Sequence, residues 1–577
     1  MAPSTGKPAS SEVITSVSIA ETLVNVKITG KTSKERRKDQ ENRENAHCEP
    51  FMPMKLLDSF VREGNVKATL DSLLGSNKYG SSLPGYIVNN AAQAFLTIMN
   101  MDLEEDSKLA VKALKTLEER DFKDTDLPME TDMWKPGRFE VRNIASGQKI
   151  GYFSDWRSSQ CQHYEKQQWT FLAPKFNERN FSYVFHKDER PPFVYLPNPA
   201  PDGGHFGKVL KLGLHLDHLE FDEKRLPEFQ LVRALIPLTV AKTDRCSQTP
   251  KRNEDHVEVA VKFMTIDNNT TKSDVNKFYP REVETLKAMR ELNDSHLIRA
   301  IAAYEKGNSR CFVFPWAEGG NLAKFWHDDQ SGLDKHLVTW ALDQMTGIAG
   351  GIMKLHERNI RHGDIKPLNI LYFPDKNKTR RGILKVADVG LAKVHTEYTK
   401  YRVVTTVRMS SERYEPPEMP SYLSREAPLP RRYDSWSLGC VFLEFATWLI
   451  YGQKGLESFH RDLSMSDSDK FYERKGKQYP RNKVVNKLIN KMIKAIPKSS
   501  ALAQLVNLIS KDLLVHLDKR IDTEALHKKL GDIRDGSSAD SYRSGRLASL
   551  AASRPVPAAG SVSTTQPPDR VGSLIFI

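Results

Sequence analysis

In the stretch RHGDIKPLNILYF, Asp364, Lys366 and Asn369 lie close together and abut the apolar run Ile370 to Phe373. Phosphoryl transfer to a hydroxyl needs these three types of group. A carboxylate orients the attacking hydroxyl and accepts its proton, a cation balances charge on the moving phosphoryl group, and an amide oxygen helps to hold a metal ion. Nineteen residues after Asn369, Asp388 follows the strand-like ILKVA and precedes VG. A carboxylate at a strand end beside a glycine suits a Mg²⁺ ligand on a flexible turn. Taken singly, the D-x-K-x-x-N spacing also fits a polar loop of capping residues. Two such motifs in order, each touching a strand, are more specific.

These groups need a rigid frame. Upstream, Leu337, Ala341, Met345, Ile348, Ile352 and Leu355 recur at spacings of three and four, which predicts a helix leading into the loop. Trp436 to Tyr451 is apolar nearly all round, as a buried core helix is. Earlier, VAVK places Lys262 on a strand with alternating apolar residues. Glu282, twenty residues on, shares a helical face with Leu286 and Met289. A lone strand lysine is commonly a snorkelling surface residue. The order of elements predicts an α+β fold with two lobes, a small β-rich one over 201–321 and a larger helical one over 322–533.

HGDIKPLN followed by DVG resembles the catalytic loop and metal-binding motif of eukaryotic protein kinases, HRD-x-K-x-x-N and DFG. The resemblance implies a Ser/Thr protein kinase using ATP and Mg²⁺. In it Asp364 and Lys366 are catalytic, and Asn369 and Asp388 hold the metal. Lys262, paired with Glu282, positions the phosphates. DGGHFGKVLKL resembles the glycine loop, with Gly203, Gly204, Gly207 and Val209 in place and Asp202 where the first glycine is expected. FVFPWAEGGNL resembles the last small-lobe strand and hinge. Phe314 is then the gatekeeper, and Trp316 and Ala317 lie beside adenine together with Ala260. Phe314 and Trp316 also fit plain core packing. RYEPPE places Glu418 at the end of the activation segment, with Arg520 of HLDKRID as its ion-pair partner. Asp434 of YDSWSLG caps backbone amides, and Ser411 favours serine or threonine as acceptor. The order EKQQWTFLAPKF, glycine loop, LIRAIAAYEKG and HGDIKPLNIL is similar to a group of filamentous-fungal kinase-domain proteins. Gly363 replaces the arginine of HRD (a non-RD loop), so the resemblance implies basal activity independent of activation-segment phosphorylation, with Lys393 and Arg408 as substitutes for that arginine. Val389 replaces the DFG phenylalanine. With Asp202 and Gly363 it keeps a second reading open, a pseudokinase that binds ATP or a partner without phosphotransfer.

A chain of 577 residues has room for several domains. Its five cysteines show no paired spacing, which argues against a disulfide framework or zinc site and for a reducing compartment. No secretory signal is visible, and Leu438 to Tyr451, interrupted by Glu444, falls short of the ~20 residues of a membrane span. The expected location is cytoplasmic, with Lys31 to Lys38 as a candidate nuclear signal. The net charge of +13 is spread among acids, which speaks for a solvated surface rather than nucleic-acid binding. We expect a disordered tail over 1–50, a helical accessory region over 51–128 that is a candidate partner-binding module, and a linker of loops and short extended pieces over 129–200. The kinase-like domain spans 201–533, with a long insertion at about 219–256 whose Pro-broken content has no physical account. A second disordered tail covers 534–577.

Overall fold

The computed structural model describes residues 13–15, 18–19, 22–23, 47–76, 78–101, 107–135, 138–196, 202–204, 207–221, 255–264, 272–329, 331–375, 381–388, 412–419, 430–476 and 478–536. They fall into two compact units. One is drawn from Met1–Ala200, Leu210–Val261 and Tyr304–Cys311, the other from Pro201–Val209, Lys262–Ala303 and Phe312–Ile577.

The first unit begins with helices α1 (Met54–Phe60), α2 (Glu63–Leu74), α3 (Leu83–Asn90), α4 (Ala92–Asn100) and α5 (Ser107–Glu119). Val66, Leu70 and Leu74 of α2 and Phe95 and Ile98 of α4 are buried in one apolar core. Asp124 caps α4 from a distance, accepting from the N–H groups of Gln93 and Ala94 at 3.1 and 2.9 Å. Burial pushes its carboxyl up to about 6. This core reaches beyond the expected 51–128 in both directions. Ile14, Ile19 and Leu23, expected in a disordered tail, are buried in it, and the Ile14 N–H donates to Thr69 Oγ1 at 2.8 Å. They belong to a short stretch, SEVITSVSIAETLV, whose valines, isoleucines and leucine favour burial although residues 1–50 as a whole are Ser, Thr, Lys and Glu rich.

Residues 129–200, expected as loops with short extended pieces, hold an antiparallel hairpin, β1 (Met129–Lys135) with β2 (Arg138–Asn143), and, unexpectedly, a helix, α6 (Ser158–Gln168). The helix was missed because only Cys161, Tyr164 and Gln168 are buried along it, too sparse a stripe for the eye. Gln168 substitutes a polar anchor, accepting from the Met129 N–H and donating to the Met129 carbonyl. Phe122 stacks on Tyr152 at 4.3 Å with Phe153 edge-on to both, and Trp156 stands edge-on to Phe153 and Tyr164.

Strands β3 (Phe176–Asn177), β4 (Ser182–Phe185) and β5 (Phe193–Val194) follow. β4 and β5 flank a sheet shared with β7 (Gly207–His215), β9 (His256–Met264), β10 (Ala302–Lys306) and β11 (Ser309–Pro315), in the order β4-β10-β11-β9-β7-β5. The segment His47–Phe51 lies against this sheet. His47 Nδ1 is 3.0 Å from the Tyr304 hydroxyl, Glu49 pairs with Lys306, and Phe51 packs edge-on to His215 and His218. Residues expected to belong wholly to the small kinase lobe are thus packed with the N-terminal helices. The expected insertion begins with structure: β8 (Leu219–Glu220) pairs in parallel with β3. Residues 222–254 lie outside the described residues.

The second unit starts with β6 (Asp202–Gly204), antiparallel to Gly207–Val209. Helix α7 (Lys272–Leu292) precedes a helical array: α8 (Leu322–Asp328), α9 (Lys335–Glu357), α10 (Arg432–Ser464), α11 (Lys483–Ala495), α12 (Ala501–Leu508) and α13 (Thr523–Asp535). Asp334 caps α9 through the Leu337 N–H, and the six apolar residues read from its spacing are all buried. In α10, Trp436 to Ile450 are all buried, and the helix breaks at Gly452, whose φ of 68° lies in the left-handed region open to glycine. Between α9 and α10 a short ladder, β12 (Ile370–Phe373) with β13 (Ile383–Val386), pairs Ile370 with Val386. Among the described residues no helix is long and apolar enough to cross a membrane.

Candidate active site

The loop before β12 is held from below. Asp434, fully buried at the start of α10, accepts from the N–H of His362 at 2.9 Å and of Gly363 at 2.8 Å. His356 Nε2 lies 2.8 Å from the same carboxylate, and its Nδ1 is 2.9 Å from the Thr523 hydroxyl. Burial alone would raise the Asp434 carboxyl, but the bonds from His356 and the loop amide hold it below the usual carboxylate range. Gly363 has φ of 76°, which explains its identity: an L side chain is strained there, so glycine suits the turn that presents both amides to Asp434. His362, fully buried, reaches the Ala387 carbonyl at 2.9 Å and so ties the loop to the residue before Asp388. Sequence reading assigned no role to His362 or His356. His362 stands in the HGD motif and His356 in no motif, but their partners, 25 and 78 residues away, give neither a local signal of its role.

On this platform the three polar groups converge. Lys366 Nζ is 2.8 Å from Asp364 Oδ2. Asn369 Nδ2 donates to the Asp364 carbonyl at 2.8 Å and to Oδ2 at 3.0 Å. With its N–H bonds turned to Asp364, Asn369 offers its amide oxygen to a cation. The Ala387 N–H donates to the Asn369 carbonyl at 2.8 Å, which couples the loop to Asp388. Asp388 has φ of 67°, unusual for a residue with a side chain.

The Lys262 ammonium, buried on β9, lies 2.5 Å from Asp388 Oδ1 and 3.8 Å from Glu282 Oε1 on α7. Burial works against its charge, but Asp388 and Glu282 raise its pKa overall. Burial would raise Asp388, yet Lys262 brings it below its usual range. Glu282 is pushed up to about 6 by burial, which the more distant Lys262 offsets only in part.

One carboxylate, Asp388, and one amide oxygen, Asn369, form a hard-oxygen donor set. Mg²⁺ characteristically takes one or two protein carboxylates and completes its shell with phosphate oxygens and water, so these residues fit it. Among the described residues no group of three His, Cys, Asp or Glu suits a metal held by protein alone.

Glu418 and Arg520 meet in a two-pronged pair at 2.6 and 3.0 Å. Phe314 on β11 and Ala317 are buried, and the Ala317 carbonyl accepts from the Gly320 N–H at 3.0 Å. Trp316 is half-buried. Ala260 is buried on β9, two residues before Lys262. Gly203 and Gly204 on β6 oppose Lys208 and Gly207, and Val209 is buried opposite Asp202. Ser411, Val389, Lys393 and Arg408 lie outside the described residues. A further group missed from the sequence is Glu444. Buried on α10, it accepts from the Tyr414 hydroxyl at 3.1 Å and meets His460 Nε2 at 2.8 Å. The break at Gly452 brings His460 back to it.

The protein kinase domain family matches residues 246–522. The serine/threonine-protein kinase nekl-2 of Caenorhabditis elegans is 28% identical over 204 residues, covering 34% of this chain and 51% of that protein. Rabbit (Oryctolagus cuniculus) MAP kinase-activated protein kinase 2 is 32% identical over 156 residues, 25% of this chain and 37% of that protein. The serine/threonine-protein kinase SSN3 of Candida glabrata is 29% identical over 162 residues, 27% of this chain and 26% of that protein. The chain thus matches about half the length of these relatives or less. The kinase domain match includes Lys262, Glu282, Asp364, Lys366, Asn369, Asp388, Glu418 and Arg520. It begins after the glycine-bearing hairpin at 202–209.

Proposed function

We propose that the kinase domain transfers the γ-phosphate of ATP to a serine or threonine hydroxyl of a protein substrate, with Mg²⁺. The observation that carries this reading is the bonded set Asp364, Lys366 and Asn369, joined through the Asn369–Ala387 backbone bond to Asp388. Asp364 orients the acceptor hydroxyl and receives its proton, while Lys366 neutralises charge on the transferred group. Lys262 faces the phosphates and Glu282 restrains it. Asn369 and Asp388 would hold Mg²⁺, which when bound offsets charge on the β- and γ-phosphates. The hairpin of Gly203, Gly204, Gly207 and Val209 covers the phosphates, and Phe314, Trp316 and Ala317 receive the adenine. The Ser/Thr kinases among its relatives favour a hydroxyl of serine or threonine, and the protein acts in the cytoplasm or nucleus.

The test is Mg²⁺·ATP turnover by the full chain and by Asp364→Ala. Loss of a positioned base reduces rate by about 10²–10⁴-fold. Equal turnover by both proteins would remove Asp364 from the reaction. The second reading, a nucleotide-binding module without transfer, is favoured by Asp202 in the glycine hairpin and by the close Lys262–Asp388 pair, which occupies a metal ligand. It predicts ATP binding to the full chain with no turnover above that of Asp364→Ala.

A further inference from the structure

From Arg474 to Lys511 the chain carries ten Lys or Arg and no Asp or Glu. Five of them, Lys483, Lys487, Lys491, Lys494 and Lys498, recur at steps of three and four, so helix α11 and the residue just beyond it bring them to one side. All five are exposed, while Val485, Ile489 and Met492 on the other side are buried. Among the described residues none of the five is in an ion pair, although Lys491 Nζ sits 4.7 Å from the centre of the Tyr451 ring. Like charges three and four residues apart repel. Apart from the Lys491 contact with Tyr451, the row forms no stabilising pair among the described residues, in contrast to Lys529, paired with Asp512, and Lys470, paired with Glu412 and Glu415.

The row is continuous with the phosphoacceptor side of the site. Glu415, which feels the Asp364 charge and is pushed up to about 7, mainly by burial, is 3.6 Å from Lys470. Two residues later Tyr472 bridges to Arg481, whose Nε donates to Asn486 of α11 at 2.6 Å. A substrate chain leaving Asp364 along this path arrives at the lysines.

We propose that the lysine face of α11 docks an acidic stretch of the protein substrate. Steps of three and four residues at 1.5 Å rise space the lysines by roughly 4.5–6 Å, close to the ~7 Å between same-face side chains of an extended peptide. Helix α11 has no aromatic residue on which a nucleobase would stack. Its apolar residues Val485, Ile489 and Met492 face the protein rather than a bilayer. This proposal rests on the kinase reading for the identity of the occupant, but its test does not need turnover. Fluorescence anisotropy would compare the full chain's binding of a labelled serine peptide flanked by glutamates with that of its glutamine counterpart. The acidic peptide should bind about tenfold or more tightly, and less so as salt rises. That preference should vanish in Lys487→Glu/Lys491→Glu/Lys494→Glu and persist in the triple Lys→Arg variant. A triple Lys→Gln variant should show the same loss if charge reversal unfolds the chain. Equal binding of the two peptides, or an acidic preference untouched by both triple replacements, overturns the proposal. So does tighter binding of single-stranded RNA or phosphatidylserine vesicles in the same buffer. Given turnover, the Lys→Gln protein should show a raised KM for the acidic peptide with kcat retained.

Discussion

Arg520 and Lys262 are both buried cations facing carboxylates in the same unit, yet their surroundings differ. Arg520 forms both prongs of a pair with Glu418, donates to the carbonyls of Arg432 and Val515, and lies 5.0 Å over the Trp436 ring. Only its Nε lacks a partner among the described residues. Lys262 has one close partner, Asp388, and one distant one, Glu282, whose carboxyl is left high at about 6. A planar, multiply bonded guanidinium ties Glu418 to the α10 start, the geometry of a structural pair. An under-bonded ammonium between two carboxylates retains capacity for phosphate oxygens and serves chemistry.

The largest effect that tests this contrast is loss of the saturated pair. Arg520→Met leaves Glu418 charged without its partner, and breaking such a buried pair costs about 3–5 kcal/mol. Calorimetry should show a fall in Tm on the order of ten degrees. Glu418→Gln should fall less, because a neutral amide still accepts from the guanidinium. If Arg520→Met melts like the parent, the pair is not what holds the segment.

Lys262→Met should invert the pattern. Phosphotransfer should fall about 10²–10³-fold, as for loss of one preorganised electrostatic donor. Tm should fall less than for Arg520→Met, because Glu282 can take up a proton and Asp388 remains one-fifth exposed. Equal losses of Tm in the two variants would erase the distinction between structural and chemical pair.

The contrast also shows what a sequence discloses. Asp364, Lys366 and Asn369 were legible because one short loop carries them at fixed spacing, and α9 and α10 because burial imposes a 3.6 period on their apolar residues. Arg520–Glu418 was reached only through resemblance, since 102 residues separate them. The Asp434 cap on the loop amides was likewise reached through resemblance, whereas the bonds of His356 and His362 and the Tyr414–Glu444–His460 set were not read, because each is assembled by tertiary packing. The N-terminal core was read too short. Ile14 and Ile19 sit in an apolar-containing stretch, SEVITSVSIAETLV, that the Ser, Thr, Lys and Glu content of residues 1–50 taken together obscures, and α6 buries a glutamine where a pattern search expects an apolar residue.

A smaller effect tests the backbone side of the site. Gly363 was first legible only as a lost arginine, but its φ of 76° gives it a second reason. Gly363→Ala should cost about 1–2 kcal/mol, the strain of a left-handed L residue, and lower Tm by a few degrees. Gly363→Arg should suffer the same strain. If the non-RD reading holds, phosphatase treatment of the parent should leave turnover in place. Abolished turnover would mean that another cation, such as Lys393 or Arg408, reads a phosphorylated segment.

The smallest effect expected is in the pH profile. Glu282 is raised in the folded chain from 4.5 to about 6. The folded state therefore binds more protons than the unfolded one between those values, so this group's contribution to stability falls as pH rises from about 4.5 to 6. Activity should run the other way, since the Glu282 carboxylate must be charged to restrain Lys262. Turnover should fall as pH drops through about 6, and Glu282→Gln should lose that limb while turning over more slowly throughout. Glu415, pushed up to about 7, faces Asp364 and Lys470 and is the competing source of an acid limb. Glu415→Gln should leave the limb near 6 in place. If instead the limb survives Glu282→Gln and disappears with Glu415→Gln, the titrating group sits on the substrate side, and the under-bonded carboxylate beside Lys262 is not what sets the acid limit.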